Sequence, residues 1–124
     1  MRADAVALDH VQLAAPPGCE PAARRFFGDL LGLAEVQKPA ALRDRGGVWF
    51  SLGEGQLHIG VTAEFVPASK AHPAFRVEPG RLDALAAQLS AAGAPVRWDE
   101  ALDGARRFFT ADPWGNRLEL LEKA

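Results

Sequence analysis

Hydrophobic and polar positions change period along this chain, from strand-like alternation to helical spacing and back, and the whole pattern then runs a second time. Over Val6–Leu13 the alternation places Leu8, His10, Gln12 and Ala14 on one face and Ala7, Asp9, Val11 and Leu13 on the other. Pro16, Pro17 and Gly18 end that strand. Ala22, Ala23, Phe26, Phe27, Leu30 and Leu31 then recur at helical spacing, with Pro21 suited to the first turn and Gly32 as the stop. A short strand near Leu33–Gln37 follows, then a loop with Pro39, Arg43, Asp44 and Arg45. Strands Val48–Leu52 and Gln56–Thr62 flank the turn Gly53-Glu54-Gly55. After a linker containing Pro67 the order restarts. His72–Val77 reads as a strand, and Leu82, Leu85, Ala86, Leu89 and Ala92 form a helical stripe that Gly93 terminates. Pro95–Trp98, Arg107–Ala111 and Arg117–Leu121 read as three further strands. Between the last two, Asp112-Pro113-Trp114-Gly115-Asn116 has the residues of a hairpin turn: proline fixes φ, glycine accepts a positive φ, and Asp and Asn bond their own backbone.

The two halves keep a nearly constant offset. Gly32 and Gly93 lie 61 positions apart (93 − 32), His10 and His72 62 (72 − 10), and His58 and Glu119 61 (119 − 58). An α+β chain of two βαβββ modules is the predicted architecture, with module 1 at about residues 5–63 and module 2 at about 71–123.

Composition narrows the function. With 124 residues the chain has the length of one domain with a real core. Fourteen basic residues against 16 acidic ones leave no electrostatic case for nucleic acid or an anionic membrane as partner. No apolar run approaches a membrane span and no signal-like segment opens the sequence, so a cytoplasmic location is expected. The single cysteine, Cys19, excludes an intrachain disulfide and reads as a residue just before a helix.

The candidate chemistry lies inside the strands. Glu119 sits in the middle of an apolar strand, where a carboxylate is costly unless something positive meets it. His10 and His72 occupy the opening strands and His58 the strand equivalent to that of Glu119; these are all three histidines of the chain. If two half-barrels face each other, three imidazoles and a carboxylate form a ligand set for a divalent transition ion: zinc, nickel, manganese or Fe(II). Arg76 and Arg117 are the alternative partners for Glu119. Arg76, four residues after His72, should share its face and could hold an anionic substrate group. Trp49 and Phe109 are barrel-lining residues with a candidate role in substrate stacking.

Four segments, Leu8-Asp-His-Val-Gln12, Phe26-Phe-Gly-Asp-Leu-Leu-Gly-Leu33, His72-Pro-Ala-Phe-Arg-Val77 and Asp112-Pro-Trp-Gly-Asn-Arg-Leu-Glu119, resemble the vicinal oxygen chelate superfamily. Glyoxalase I, fosfomycin-modifying thiol transferases, extradiol dioxygenases, methylmalonyl-CoA epimerase and bleomycin resistance proteins belong to it. The resemblance implies a single glyoxalase-like domain over residues 1–124, its modules forming an open eight-stranded barrel-like sheet around a metal. It carries His10, His72 and Glu119 onto ligand positions. His58 falls where glyoxalase I has a glutamate and the epimerases a glutamine. The expected function is a metal-dependent enzyme acting on a small substrate chelated through adjacent oxygens, with Glu119 and His58 as catalytic candidates. A lyase, isomerase, transferase or dioxygenase would fit. The alternative is a bleomycin-resistance-like protein that sequesters a small molecule without catalysis. A homodimer is expected, and exchanged halves would join His10 and His58 of one chain to His72 and Glu119 of the other.

Overall fold

The computed structural model describes residues 2–123. Its elements run β1 (His10–Ala15), α1 (Glu20–Ala23) continued by a π-helical stretch Arg24–Leu30, β2 (Glu35–Val36), a 3₁₀ turn Ala40–Arg45, β3 (Val48–Leu52) and β4 (Gly55–Val61). The second half repeats them as β5 (Ala74–Arg76), α2 (Leu82–Ala91), β6 (Arg97–Asp99), β7 (Ala105–Ala111) and β8 (Arg117–Lys123). Strand order is β1-β4-β3-β2 in one sheet and β5-β8-β7-β6 in the other. In each, the first strand pairs in parallel with the last and the remaining pairings are antiparallel. These are two βαβββ units of one topology, an α+β fold. The eight strands stay in two separate sheets and do not close into a barrel.

Three local expectations shift. The first strand begins at His10 rather than Val6, because β4 starts at Gly55, opposite Asp9, and offers no backbone beyond it. Only the Asp9 carbonyl still accepts, from the Gln56 N–H at 3.2 Å. Val6 and Leu8 are left 87% and 82% exposed. The first helix widens after Ala23, where the Leu31 N–H reaches back five residues to the Phe26 carbonyl. His72 precedes its strand, which spans only Ala74–Arg76.

Both halves share one core. Phe27, Phe50 and Leu57 from the first half and Leu89, Phe108 and Leu118 from the second are fully buried in a single cluster with both helices. Each such side chain stabilises by about 1.5–3 kcal/mol relative to exposure. The helix-covered faces of the two sheets therefore look toward a common interior. Their other faces look away from it.

The hairpin between β7 and β8 ties the halves together. Gly115 takes φ +98°, and the buried Asp112 accepts from the Trp114 and Asn116 N–H groups at 3.1 and 2.9 Å. Asn116, 1% exposed, donates through Nδ2 to the Asp112 carboxylate at 2.7 Å and to the Ala14 carbonyl of β1 at 2.8 Å. Its Oδ1 accepts from the Ala68 N–H of the linker at 2.9 Å. One side chain thus joins three backbone segments.

Candidate functional site

Alternation decides where each candidate side chain goes. In β4, Leu57 and Ile59 point into the core, so His58 between them faces the other way. Its neighbours on that outer face are Gln12 on β1 and Trp49 on β3, both in direct register. Trp49 stacks on the His58 ring at 3.7 Å and 2°, and His10 stacks at 4.2 Å and 19°. This stack sets the plane of the His58 imidazole. Burial, and then the charge His10 carries when protonated, push His58 below the ordinary histidine range, so it is neutral at pH 7.

In β8, Leu118 and Leu120 point into the core and Glu119 faces out, opposite Phe109 of β7 and beside Ala74 of β5. Its carboxylate receives two cationic or polar neighbours. His72 Nε2 lies 3.1 Å from Oε1, and Arg107 donates through Nη1 to Oε2 at 3.3 Å. Arg107 also reaches Asp99 at 3.4 Å through Nη2. The cation that meets Glu119 is therefore Arg107, not Arg76 or Arg117.

The remaining substrate candidates are placed as follows. Arg76 sits opposite Leu121, forms no ion pair among the described residues, and lines a separate cavity of about 500 Å³ with Phe75 and Leu85. Phe109 meets His72 edge-on at 5.4 Å, while Arg117 and Arg107 lie 4.1 and 5.1 Å from its ring centre. Trp49 has one face occupied by His58.

The structure thus brings the four ligand candidates together as two pairs, His10 with His58 and His72 with Glu119, on the outward faces of different sheets. Among the described residues no three His, Cys, Asp or Glu side chains gather within one chain as a metal-holding group.

The ring nitrogens nonetheless suit a metal. The Lys70 carbonyl can only accept, so the His72 Nδ1 at 2.9 Å must carry the proton. In a neutral His72 the Nε2 lone pair then faces the Glu119 oxygen, two acceptors 3.1 Å apart. A second proton or a cation resolves that contact. His10 is oriented alike, since Asp9 Oδ1 accepts from Nδ1 at 2.8 Å and frees Nε2. Orientation of ligating histidines by a carboxylate or carbonyl on the other nitrogen is the usual outer-shell arrangement at metal sites. His58 differs: its Nε2 bonds the Gln56 side-chain oxygen at 2.8 Å, which leaves the lone pair on Nδ1.

Solved structures place the chain. The crystal structure of a protein assigned to the glyoxalase family, from Bacillus anthracis, is 44% identical over the whole of both chains, with a TM-score of 0.92. The chain belongs to the glyoxalase family. Lactoylglutathione lyase from Agrobacterium tumefaciens (22% identity, 97% and 96% of the two chains, TM-score 0.72) shares the fold. So does the fosfomycin resistance protein FosX from Listeria monocytogenes (16% identity, 97% and 95%, TM-score 0.76). The superfamily is that of the vicinal oxygen chelate proteins. No family model and no curated protein matches the sequence.

In this glyoxalase family member the functional residue that the sequence reading did not single out is Arg107, the first residue of a predicted strand. A signal for it existed. Folding β7 onto β8 about the Asp112–Asn116 turn pairs Phe109 with Glu119 and Arg107 with Leu121, so Arg107 is the diagonal neighbour of Glu119 on the same face. Asp9, which orients His10, and Gln56, which orients His58, are by contrast sequence neighbours one and two positions away.

Proposed function

We propose that this glyoxalase family member is a metal-dependent enzyme acting on a small molecule bound through adjacent oxygens. On this reading the chain is one domain of two modules, and its centre forms across a homodimer. His10 and His58 of one protomer meet His72 and Glu119 of its partner. The supporting observation is the His72–Glu119 contact: Nδ1 is committed to the Lys70 carbonyl, and Nε2 and a carboxylate oxygen converge 3.1 Å apart, a contact that a bound cation would satisfy. The edges of the sheets add to it. β1 and β5 each pair on one side only, and such edges are usually covered.

A bound zinc, nickel, manganese or ferrous ion would supply Lewis acidity to the chelating oxygens. The chain's own residues do the rest. Glu119 and His72 hold one side of the centre, with Asp9-oriented His10 on the other. His58, neutral at pH 7 and fixed by Trp49 and His10, can accept a proton at Nδ1 while Nε2 stays bonded to Gln56.

A second reading, a sequestering protein without catalysis, is favoured by Arg107. It already offsets the charge of Glu119 with no metal.

Complementation separates these. A chain carrying His10→Ala and His58→Ala is mixed with one carrying His72→Ala and Glu119→Ala. Each alone should bind no zinc; the mixed dimer should regain one intact site, seen by equilibrium dialysis. A monomer by light scattering, or no zinc, nickel, manganese or ferrous iron bound by the unmutated protein, would reject the proposal. As single substitutions in the homodimer, His58→Ala should weaken zinc binding less than Glu119→Ala does.

A further inference from the structure

On the outer face of the second sheet, register positions on β5 to β8 present Arg76, Arg97, Arg107 and Arg117 against only Glu119 and Asp99. Arg107 bonds both carboxylates, and Asp99 also accepts from the Ala101 N–H at 2.8 Å. Arg97 and Arg117 are left with no carboxylate within salt-bridge distance among the described residues. Both line one cavity of about 340 Å³ with Phe109, Ala111 and Ser69. The Arg117 guanidinium is held 4.1 Å from the Phe109 ring centre, and its backbone N–H is fixed to the Ala68 carbonyl at 2.8 Å. Stacking on an aromatic face leaves the N–H edge of a guanidinium free to donate.

We infer that Arg97 and Arg117 form a binding site for the oxyanion group, carboxylate or phosphonate, of the substrate. This deepens the function proposed above and rests on it for the word substrate. Arg117 lies two residues from Glu119 on the same strand face, about 7 Å away at the strand rise. The ligand class is then a small molecule with chelating oxygens at one end and an anionic group about that far from them. The partner's first sheet would not neutralise these arginines. The outer face of β1, β3 and β4 offers His, Gln, Ala, Gly, Trp and Ser in register and no carboxylate. Arg97 is exposed and Arg117 half-buried, so both guanidiniums can meet an anion arriving from solvent.

The test uses the full-length protein freed of metal, so that a probe cannot bind through an ion. Methylphosphonate and acetate are titrated separately at constant ionic strength. In the unmutated protein, the Nε–Hε signals of Arg97 and Arg117 in a ¹⁵N–¹H correlation spectrum should move with one or both probes. The stronger probe identifies the tetrahedral or the planar group. Arg117→Gln and Arg97→Gln should each weaken the stronger probe about tenfold, the scale of a charge-assisted contact. Zinc affinity measured separately should stay unchanged and circular dichroism should report a native fold. Arginine signals unmoved by both probes, or glutamine variants that bind them as the unmutated protein does, would overturn the inference. Anion binding without zinc binding would leave this site standing and remove only the metal-dependent function.

Discussion

Replacing Asn116 by alanine tests how far one buried amide holds the two halves in place. The substitution removes three hydrogen bonds, to the Asp112 carboxylate, the Ala14 carbonyl and the Ala68 N–H. Each stranded group costs about 1–3 kcal/mol. The contacts to Ala14 and Ala68 are only partly buried and belong at about 1 kcal/mol, whereas Asp112 is charged and fully covered and belongs nearer 2. The expected loss is about 4 kcal/mol, a large part of the roughly 5–15 kcal/mol that a domain possesses. At about 2.1 cal/mol/K per residue, 124 residues convert this into a fall in Tm of roughly 15 °C. Urea unfolding at pH 7 followed by circular dichroism measures it. Asn116→Asp adds the sign of the charge. A second carboxylate beside Asp112 must titrate above its unfolded value in the native state, so this variant should be weakest at neutral pH and recover as pH falls through the raised value. A loss below about 0.5 kcal/mol for Asn116→Ala, the level of an ordinary surface change, would refute the reasoning, as would an Asn116→Asp variant whose stability ignores pH.

Arg107→Met should lower the stability of metal-free protein by about 2 kcal/mol, because Glu119 keeps its burial and loses its cation, and added zinc should shrink that loss in thermal melts. Glu20 accepts from the Gly47 N–H at 2.7 Å, and this bond holds its carboxyl below the ordinary value of 4.5. Its contribution is therefore present above that value and lost as pH falls through the lower folded one, so the penalty of Glu20→Gln, about 1 kcal/mol at pH 7, should vanish in acid unfolding curves. Gly47→Ala should prevent folding, visible as loss of soluble protein. At φ +86° its Cβ would fall 2.1 Å from the Ile59 carbonyl oxygen.

The repeat was legible because period and punctuation were both strong. Gly32 and Gly93 each take a positive φ where a helix must end, and the flanking apolar residues of His58 and Glu119 are in the core. The facing of those two side chains followed from alternation alone. What alternation does not contain is which sheet faces point toward each other. Two half-barrels closing on a shared cavity and two sheets sharing their helix-covered sides have the same local pattern, and the choice depends on packing of Phe27, Leu89 and Phe108 across the whole chain. Partners set by strand register, such as Arg107 with Glu119, needed the pairing itself. Short edges were misjudged for a related reason: Val6 lies beyond the start of β4, and beside His72 the β8 residue Arg117 gives its N–H to the Ala68 carbonyl instead.

The outward direction of the two histidine-bearing faces makes folding and assembly separate events. Each chain's core is built from its own two halves, yet on the proposed assembly each chain presents only halves of two different centres. Occupancy then depends on protein concentration as well as on metal. The ion becomes a linker between protomers, and its binding free energy is shared with association by mass action. A chelator should loosen the dimer, dilution should release the ion, and the two losses should follow a single curve.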